Sequence, residues 1–213
     1  MMESNSYLAI IGDIVKSKTL TNREQVQEKL KEMLNKINNR YSQVIASKFL
    51  ITIGDEFQGL LKPTDQLFEI INDIADAMEP VQIRFGVGHG TISTIFNEYA
   101  LGMDGPAFHQ ARYAINKAHK YKSYVILFQS ETPEESDLAI QTVLSLLSQI
   151  RLLWSLKQKC IIRCLKAGLT QEQIALELQI SQSAVSQSIK NARIIAIQEA
   201  ELNIQNLLAK RFK

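Results

Sequence analysis

Three carboxylates stand where chemistry is plausible. Asp13 sits at the end of an apolar run, Tyr7–Val15 (YLAIIGDIV). Asp55 and Glu56 follow Gly54 between two further apolar runs, Lys48–Ile53 (KFLITI) and Phe57–Leu61 (FQGLL), a pattern that predicts a hairpin with the acids in its turn. A carboxylate closing a buried strand is costly unless it is paired, protonated or bound to a metal. If these strands are neighbours, Asp13 and Asp55 converge at one edge of the sheet. Two converging carboxylates with no obvious local cation point to a hard divalent ion, Mg2+ or Mn2+, held together with phosphates. Asp13, Asp55 and Glu56 are therefore candidate metal ligands. On spacing alone the alternative is that Asp55 and Glu56 are turn residues and Asp13 caps a loop. Lys16, Ser17 and Lys18 follow Asp13 and offer amides, a hydroxyl and charge to a triphosphate, or else form a solvated loop.

A second constellation lies near the other end, in LTQEQIALELQISQSAVSQSIKNAR (169–193). Thr170 with Gln173 forms a capping-box pattern. Ile174, Ala175 and Leu178 supply a short apolar face, Gln179 can make a turn, and Ser181 caps a second helix that turns Ala184, Val185 and Ile189 inward. Two short helices with a small residue at their crossing predict a helix-turn-helix, the alternative being a helical hairpin with a polar outer face. Its outward residues Gln182, Ser183, Ser186, Gln187 and Lys190 suit base edges and phosphates in the major groove of double-stranded DNA. Arg163, Lys166 and Arg193 flank them and are placed to bind the backbone.

The remaining candidates carry less. Gly86, Gly88 and Gly90 lack a helix start at the spacing of a dinucleotide fingerprint, and predict close approach of a strand or ligand instead. Gly102-Met-Asp-Gly105 either seats an anion before a helix or turns the chain. The three histidines are dispersed and lack metal-ligand spacing. Cys160 and Cys164 share one helix face, as buried thiols would.

The elements that must position these groups follow from periodicity. Helical spacing marks Asn22–Tyr41, Leu67–Met78 and Pro106–Tyr121; buried-strand patterns mark Val81–His89 and Tyr124–Gln129. The front is thus β-α-β-β-α-β-α-β, an α+β fold. After the polar stretch 131–137 everything reads as helix: Leu138–Trp154, Leu156–Lys166, Thr170–Leu178 and one long helix from Gln182 to about Lys210. Two domains are expected, 1–130 and 138–213, with 131–137 as linker.

Charge agrees with that division. Of 24 Lys and Arg and 22 Asp and Glu in 213 residues, 14 basic and 17 acidic ones fall before residue 137, and 10 and 5 from there on. The basic end is the expected partner of a polyanion. No apolar run reaches the roughly 18 residues of a membrane span, and the N-terminus lacks a basic signal region, so a cytoplasmic protein without membrane contact is expected. A homodimer is expected too, because helix-turn-helix proteins usually bind two half-sites.

IGDIVKS resembles the first strand of class III nucleotidyl cyclases, and ITIGDEF resembles both their hairpin and the GGDEF signature of diguanylate cyclases. RFGVGHG (84–90) is similar to the strand that follows in class III. The resemblance covers about residues 7–130 and implies a ferredoxin-like palm. In it Asp13 and Asp55 hold Mg2+ or Mn2+, Ile14 lends a backbone carbonyl, and Arg112 meets developing charge as a catalytic and nucleotide-binding residue. The base-reading Lys of adenylyl cyclases falls on Ile51, and the Asn partner of Arg112 falls on Phe108. As a whole the sequence resembles the SatD family, through IGDIVKSK, ITIGDEFQG, IRFGVGHGTIST, GMDGPAFHQARYAI and the terminal helices. The expected function is a DNA-binding regulator whose palm binds a metal–nucleotide ligand as a sensor. The alternatives are an active metal-dependent nucleotidyl cyclase or transferase, and a non-catalytic dimerisation scaffold.

Overall fold

The computed structural model describes residues 6–121 and 125–212. The order is β1 (Tyr7–Ile14), α1 (Arg23–Arg40), β2 (Ile45–Ile51), β3 (Glu56–Leu61), α2 (Leu67–Met78), β4 (Ile83–Gly90), α3 (Pro106–Ala118) and β5 (Val125–Ser130). Five helices follow: α4 (Glu135–Leu152), α5 (Leu156–Lys166), α6 (Gln171–Glu177), α7 (Gln182–Asn191) and α8 (Ile194–Phe212). The strands form one sheet in the order β2-β3-β1-β4-β5. The first four are antiparallel to their neighbours, and β5 runs parallel to β4. With α1 and α2, the first four strands have the ferredoxin-like order. Tyr124, expected to open the last strand, lies outside the described residues.

The central strand β1 is buried on both sides, which is why it reads as an apolar run. Leu8, Ile10 and Ile14 face a core with Val26, Leu30 and Leu34 of α1 and Ile70 and Ile74 of α2. Ala9 and Ile11 face α3 through Ala107, Ala111, Ala114 and Ile115. On that side the sheet and helix approach unusually closely. A Cβ added to Gly88 would lie 2.1 Å from the Ala107 carbonyl oxygen, and one added to Gly86 would lie 2.4 Å from the Ile115 nitrogen. The expected close approach at these glycines is therefore to a helix, and it seats α3 directly over β4.

The helices after β5 divide their apolar contacts. Ile140, Leu144 and Leu147 of α4, with Ile197, Ile204 and Leu208 of α8, belong to the same core as β1, α1 and α2. Ile161, Ile174, Ala175 and Val185 of α5–α7 enclose a small core of their own. Trp154 packs against the first of these and against a further small cluster of Ile162, Ala192 and Ile194, and its Nε1 donates to the Ala192 carbonyl (3.1 Å). At its far end α8 is fastened to the start of α4, where Arg211 meets Asp137 (2.8 Å) and Glu134 (2.9 Å).

Three expectations shift. Glu135–Asp137 of the expected linker form the first turn of α4, because Asp137 Oδ2 accepts from the Glu134 N–H (2.9 Å) and closes a cap. Glu56 is the first residue of β3 rather than part of the turn. The single helix expected from Gln182 breaks at Ala192–Arg193, where Arg193 takes a left-handed φ of 55°. The break redirects α8 onto α4 and α2. The apolar pattern continues across it, so periodicity alone does not reveal it. No single helix among the described residues is long and apolar enough to cross a membrane.

Candidate functional site

Asp13 is the penultimate residue of β1, opposite Glu56 on β3 and Arg84 on β4. Directly opposed residues of antiparallel strands project to the same face, so the three meet on the α3 side of the sheet. Arg84 Nη2 donates to Asp13 Oδ2. His119, just past α3, brings its Nε2 to 3.4 Å from the same oxygen. Glu56 is held by Arg112 of α3 in a two-pronged pair, with Nη1 on Oε2 at 2.5 Å and Nη2 on Oε1 at 2.7 Å. Fork-on-fork pairing of this kind fixes direction as well as charge.

Asp55 occupies the hairpin tip after Gly54, whose φ of 66° makes the turn. The Gly54 carbonyl accepts from Gln27 Nε2 of α1 (2.8 Å), which ties the tip down. The Asp55 carboxyl lies near enough to Asp13 for its charge to act on it. Its Oδ1 is 4.0 Å from Arg23, while its Oδ2 is buried with no hydrogen-bond partner among the described residues. Arg84 Nε in the same cluster is also buried and unpartnered. Burial pushes the Asp13 carboxyl above its ordinary range; Arg84 opposes the rise, and the Asp55 charge adds to it.

The predicted convergence of Asp13 and Asp55 is thus present, but its setting differs from the sequence expectation of no nearby cation. Arg84, Arg112, His119 and Arg23 all reach the cluster. None of Arg84, His119 or Arg23 was singled out from sequence. Arg84 had one signal, as the only full charge in an otherwise apolar strand.

The fit to Mg2+ or Mn2+ is narrower than the four ligands expected. Among the described residues no group of three or more His, Cys, Asp or Glu side chains is arranged to hold a metal. Asp13 and Asp55 fit as a pair of hard oxygen donors, with an acceptor oxygen still unsatisfied. Glu56 does not, because Arg112 occupies both its oxygens. Ile14 lies in the ladder opposite Ile83 with its side chain in the core. A site of two carboxylates suits an ion that keeps water and phosphate as its other ligands.

The other candidates are placed apart. Lys16 adopts a left-handed φ of 57° and, with Thr19, Val26 and Lys29, lines a cavity of 570 Å³ whose walls include neither Asp13 nor Asp55. Ser17 and Lys18 form the short 3-10 turn beside it. Phe108 is a buried residue of α3, and Ile51 is half-buried at the end of β2. At the N-terminus of α3 the Ala107 N–H is taken by Thr91 (3.1 Å), and Asp104 pairs with His109 (2.8 Å).

In the C-terminal helices, Gln173 Oε1 accepts from the Thr170 N–H (2.8 Å) and Thr170 Oγ1 from the Gln173 N–H (3.3 Å). Gln179 turns the chain with a φ of 53°, and Ser181 Oγ accepts from the Ala184 N–H (3.2 Å). Gln182, Ser183, Gln187 and Lys190 are exposed on α7, and Ser186 is half-buried. Arg193 is exposed in the break after the helix rather than on it. Gln187 is bonded to Asn191 (2.8 Å) along the same face.

Solved structures similar to this chain resemble part of it. They include a bacterial light-regulated adenylyl cyclase (14% identity, 58% of this chain and 76% of that one, TM-score 0.44). Another is the guanylate cyclase domain of RhGC from Catenaria anguillulae in complex with GTP (20%, 52% and 72%, TM-score 0.40). A third is an EAL/GGDEF domain protein from M. capsulatus (16%, 62% and 88%, TM-score 0.39). No curated protein matches the sequence. One family model runs from the first strand through the carboxylate cluster and most of α8, matching residues 7–207; it is that of the SatD family, to which this chain belongs.

Proposed function

We propose that the protein is a DNA-binding regulator whose sheet domain senses a nucleoside triphosphate bound with Mg2+ or Mn2+. The carrying observation is the Asp55 oxygen, buried beside Asp13 with no partner among the described residues. A divalent ion, when bound, would neutralise the two carboxylates and draw phosphates to them. Asp13 and Asp55 would hold it, with the Ile14 carbonyl as the backbone ligand that the class III resemblance implies. Arg84 positions Asp13. Arg112 is poised to exchange Glu56 for a phosphate oxygen, since both are oxyanions of similar geometry. Lys16, Ser17 and Lys18 would meet a triphosphate only by reaching round the end of β1.

Sensing is favoured over turnover because Ile51 and Phe108 are apolar at the two positions where class III enzymes recognise the base and assist Arg112. The readout proposed is a helix-turn-helix formed by α6 and α7, with Gln182, Ser183, Ser186, Gln187 and Lys190 at the groove and Arg193 on the backbone, in a homodimer that spans two half-sites of double-stranded DNA. The test is to titrate the purified chain with each nucleoside triphosphate and Mg2+ or Mn2+, following binding, products and duplex affinity together. Binding without product, lost in Asp13→Ala and Asp55→Ala and coupled to DNA affinity, is the expected result. Product formation abolished by the same substitutions would replace the sensor by a nucleotidyl cyclase or transferase. Neither binding nor product would leave a dimerisation scaffold. Absence of duplex binding even at low salt, where phosphate contacts are strongest, would remove the DNA-binding role.

A further inference from the structure

A second cavity, of 260 Å³, lies between the sheet domain and α5. One wall is the end of α2 and the Pro80–Ile83 segment leading into β4; the other is the end of α4, Trp154 and α5. It includes neither Asp13 nor Asp55. Val81, Leu152, Trp154 and Ile162 make the lining partly apolar. Its charges are unevenly matched. Asp76 is held by Arg151, and Glu79 by Lys159 (2.5 Å). Arg163 has no carboxylate within 4.0 Å among the described residues, and its hydrogen bond goes to the Cys160 sulfur (3.1 Å), a weak acceptor. The cavity thus combines an aromatic wall, apolar sides and a guanidinium without an oxyanion partner.

We infer that this cavity is a binding site for a small organic anion, with a compact apolar or aromatic body against Trp154 and a carboxylate on Arg163. The size selects the ligand class: small-molecule pockets usually span about 300–1,000 Å³, and this one falls just below that range. A nucleotide is too large for it. Lys159 stands one turn before Arg163 on α5 but is held by Glu79, so Arg163 is the charge that meets the carboxylate. A ligand there touches Val81 and Trp154 at once and so joins the sheet domain to α5. The Pro80–Gln82 wall is itself bonded to the end of β1, where the Val15 N–H donates to the Gln82 carbonyl (2.8 Å).

Trp154 is the only tryptophan of the chain, so its fluorescence reports on this cavity directly. The experiment titrates the full chain with benzoate, and in parallel with benzyl alcohol as an uncharged probe of similar shape. Benzoate is expected to change Trp154 emission saturably by about 10 mM, and benzyl alcohol to bind at least about tenfold more weakly. Arg163→Gln, a change at an exposed position that leaves the fold intact, is expected to weaken benzoate about tenfold. Ala75→Leu, which fills the cavity from the α2 side, is expected to abolish the response while unfolding as cooperatively as the parent chain. No saturable response, equal binding of the two probes, or unchanged benzoate affinity in Arg163→Gln would each overturn the inference.

Discussion

Gly88→Ala tests the close seating of α3 on the sheet, which brings Arg112 and His119 to the carboxylates. The new Cβ would lie 2.1 Å from the Ala107 carbonyl oxygen and 2.2 Å from the Ala111 nitrogen, whereas ordinary Cβ contacts begin near 3.4 Å. Both neighbours are helix backbone, so no rotamer change relieves the clash and α3 must withdraw by about 1 Å. Overpacking a dense core costs about 1–3 kcal/mol, and this geometry places the cost near the upper end, about 3 kcal/mol. With a urea m-value of about 3 kcal/mol/M, the midpoint falls by about 1 M. Gly12→Ala is the informative contrast, because its Cβ would meet the Phe57 ring at 2.1 Å, a side chain that can be trimmed. Phe57→Leu should recover part of the Gly12→Ala loss. Ala111→Gly should recover none of the Gly88→Ala loss, beyond a coupling of about 0.5 kcal/mol. Urea unfolding followed by far-UV circular dichroism measures all of these. A loss below about 1 kcal/mol for Gly88→Ala, or rescue by Ala111→Gly, would refute the backbone-contact reasoning.

Three further outcomes are expected. His89 is buried beside Arg211, and burial first, then that charge, lowers its pKa to about 4 from an ordinary 6.5. The unfolded chain therefore takes up a proton that the folded chain refuses, so stability falls as pH drops from 6.5 to 4, by roughly 3 kcal/mol in all. In urea titrations across that window His89→Gln should show a flatter profile, and an unchanged slope would count against the effect. Asp13 has the opposite linkage: with its folded pKa raised, the native state gains on the unfolded one as pH falls toward 3.8. Asp13→Asn should thus be more stable than the parent at pH 7, with the advantage shrinking in acid; a less stable variant at pH 7 would show that the Arg84 pair outweighs burial. Thr170→Ala and Ser181→Ala each remove a helix cap and should cost about 1 kcal/mol, seen as a fall of about 2–4 °C in melting temperature.

Much of the architecture was legible in the sequence, because it depends on short-range physics. The period of apolar residues placed α2 at Leu67–Met78 and α5 at Leu156–Lys166 to the residue, since an amphipathic helix announces its own face. Thr170 and Ser181 announced their caps, because a capping bond closes over only three residues. Asp13 and Asp55 were legible as a converging pair, given only that an apolar strand and a hairpin share a sheet. What surrounds the pair was not. Arg84 falls opposite Asp13 across 71 residues, and Arg112 reaches Glu56 across 56. Those partnerships depend on strand order and register, which no local window contains. Gly86 and Gly88 told of a close approach but not of its partner, since a missing side chain does not say what fills its place. The break at Arg193 was hidden for a related reason: Ile189, Ala192 and Ala196 continue the helical spacing of apolar residues across it. Only the packing of α8 on α4 and α2, sealed by Arg211 on Asp137, decides that the chain turns there. Periodicity and caps are properties of neighbours in sequence; the ion pairs of the site and the course of the last helix are settled by which elements the closed core brings side by side.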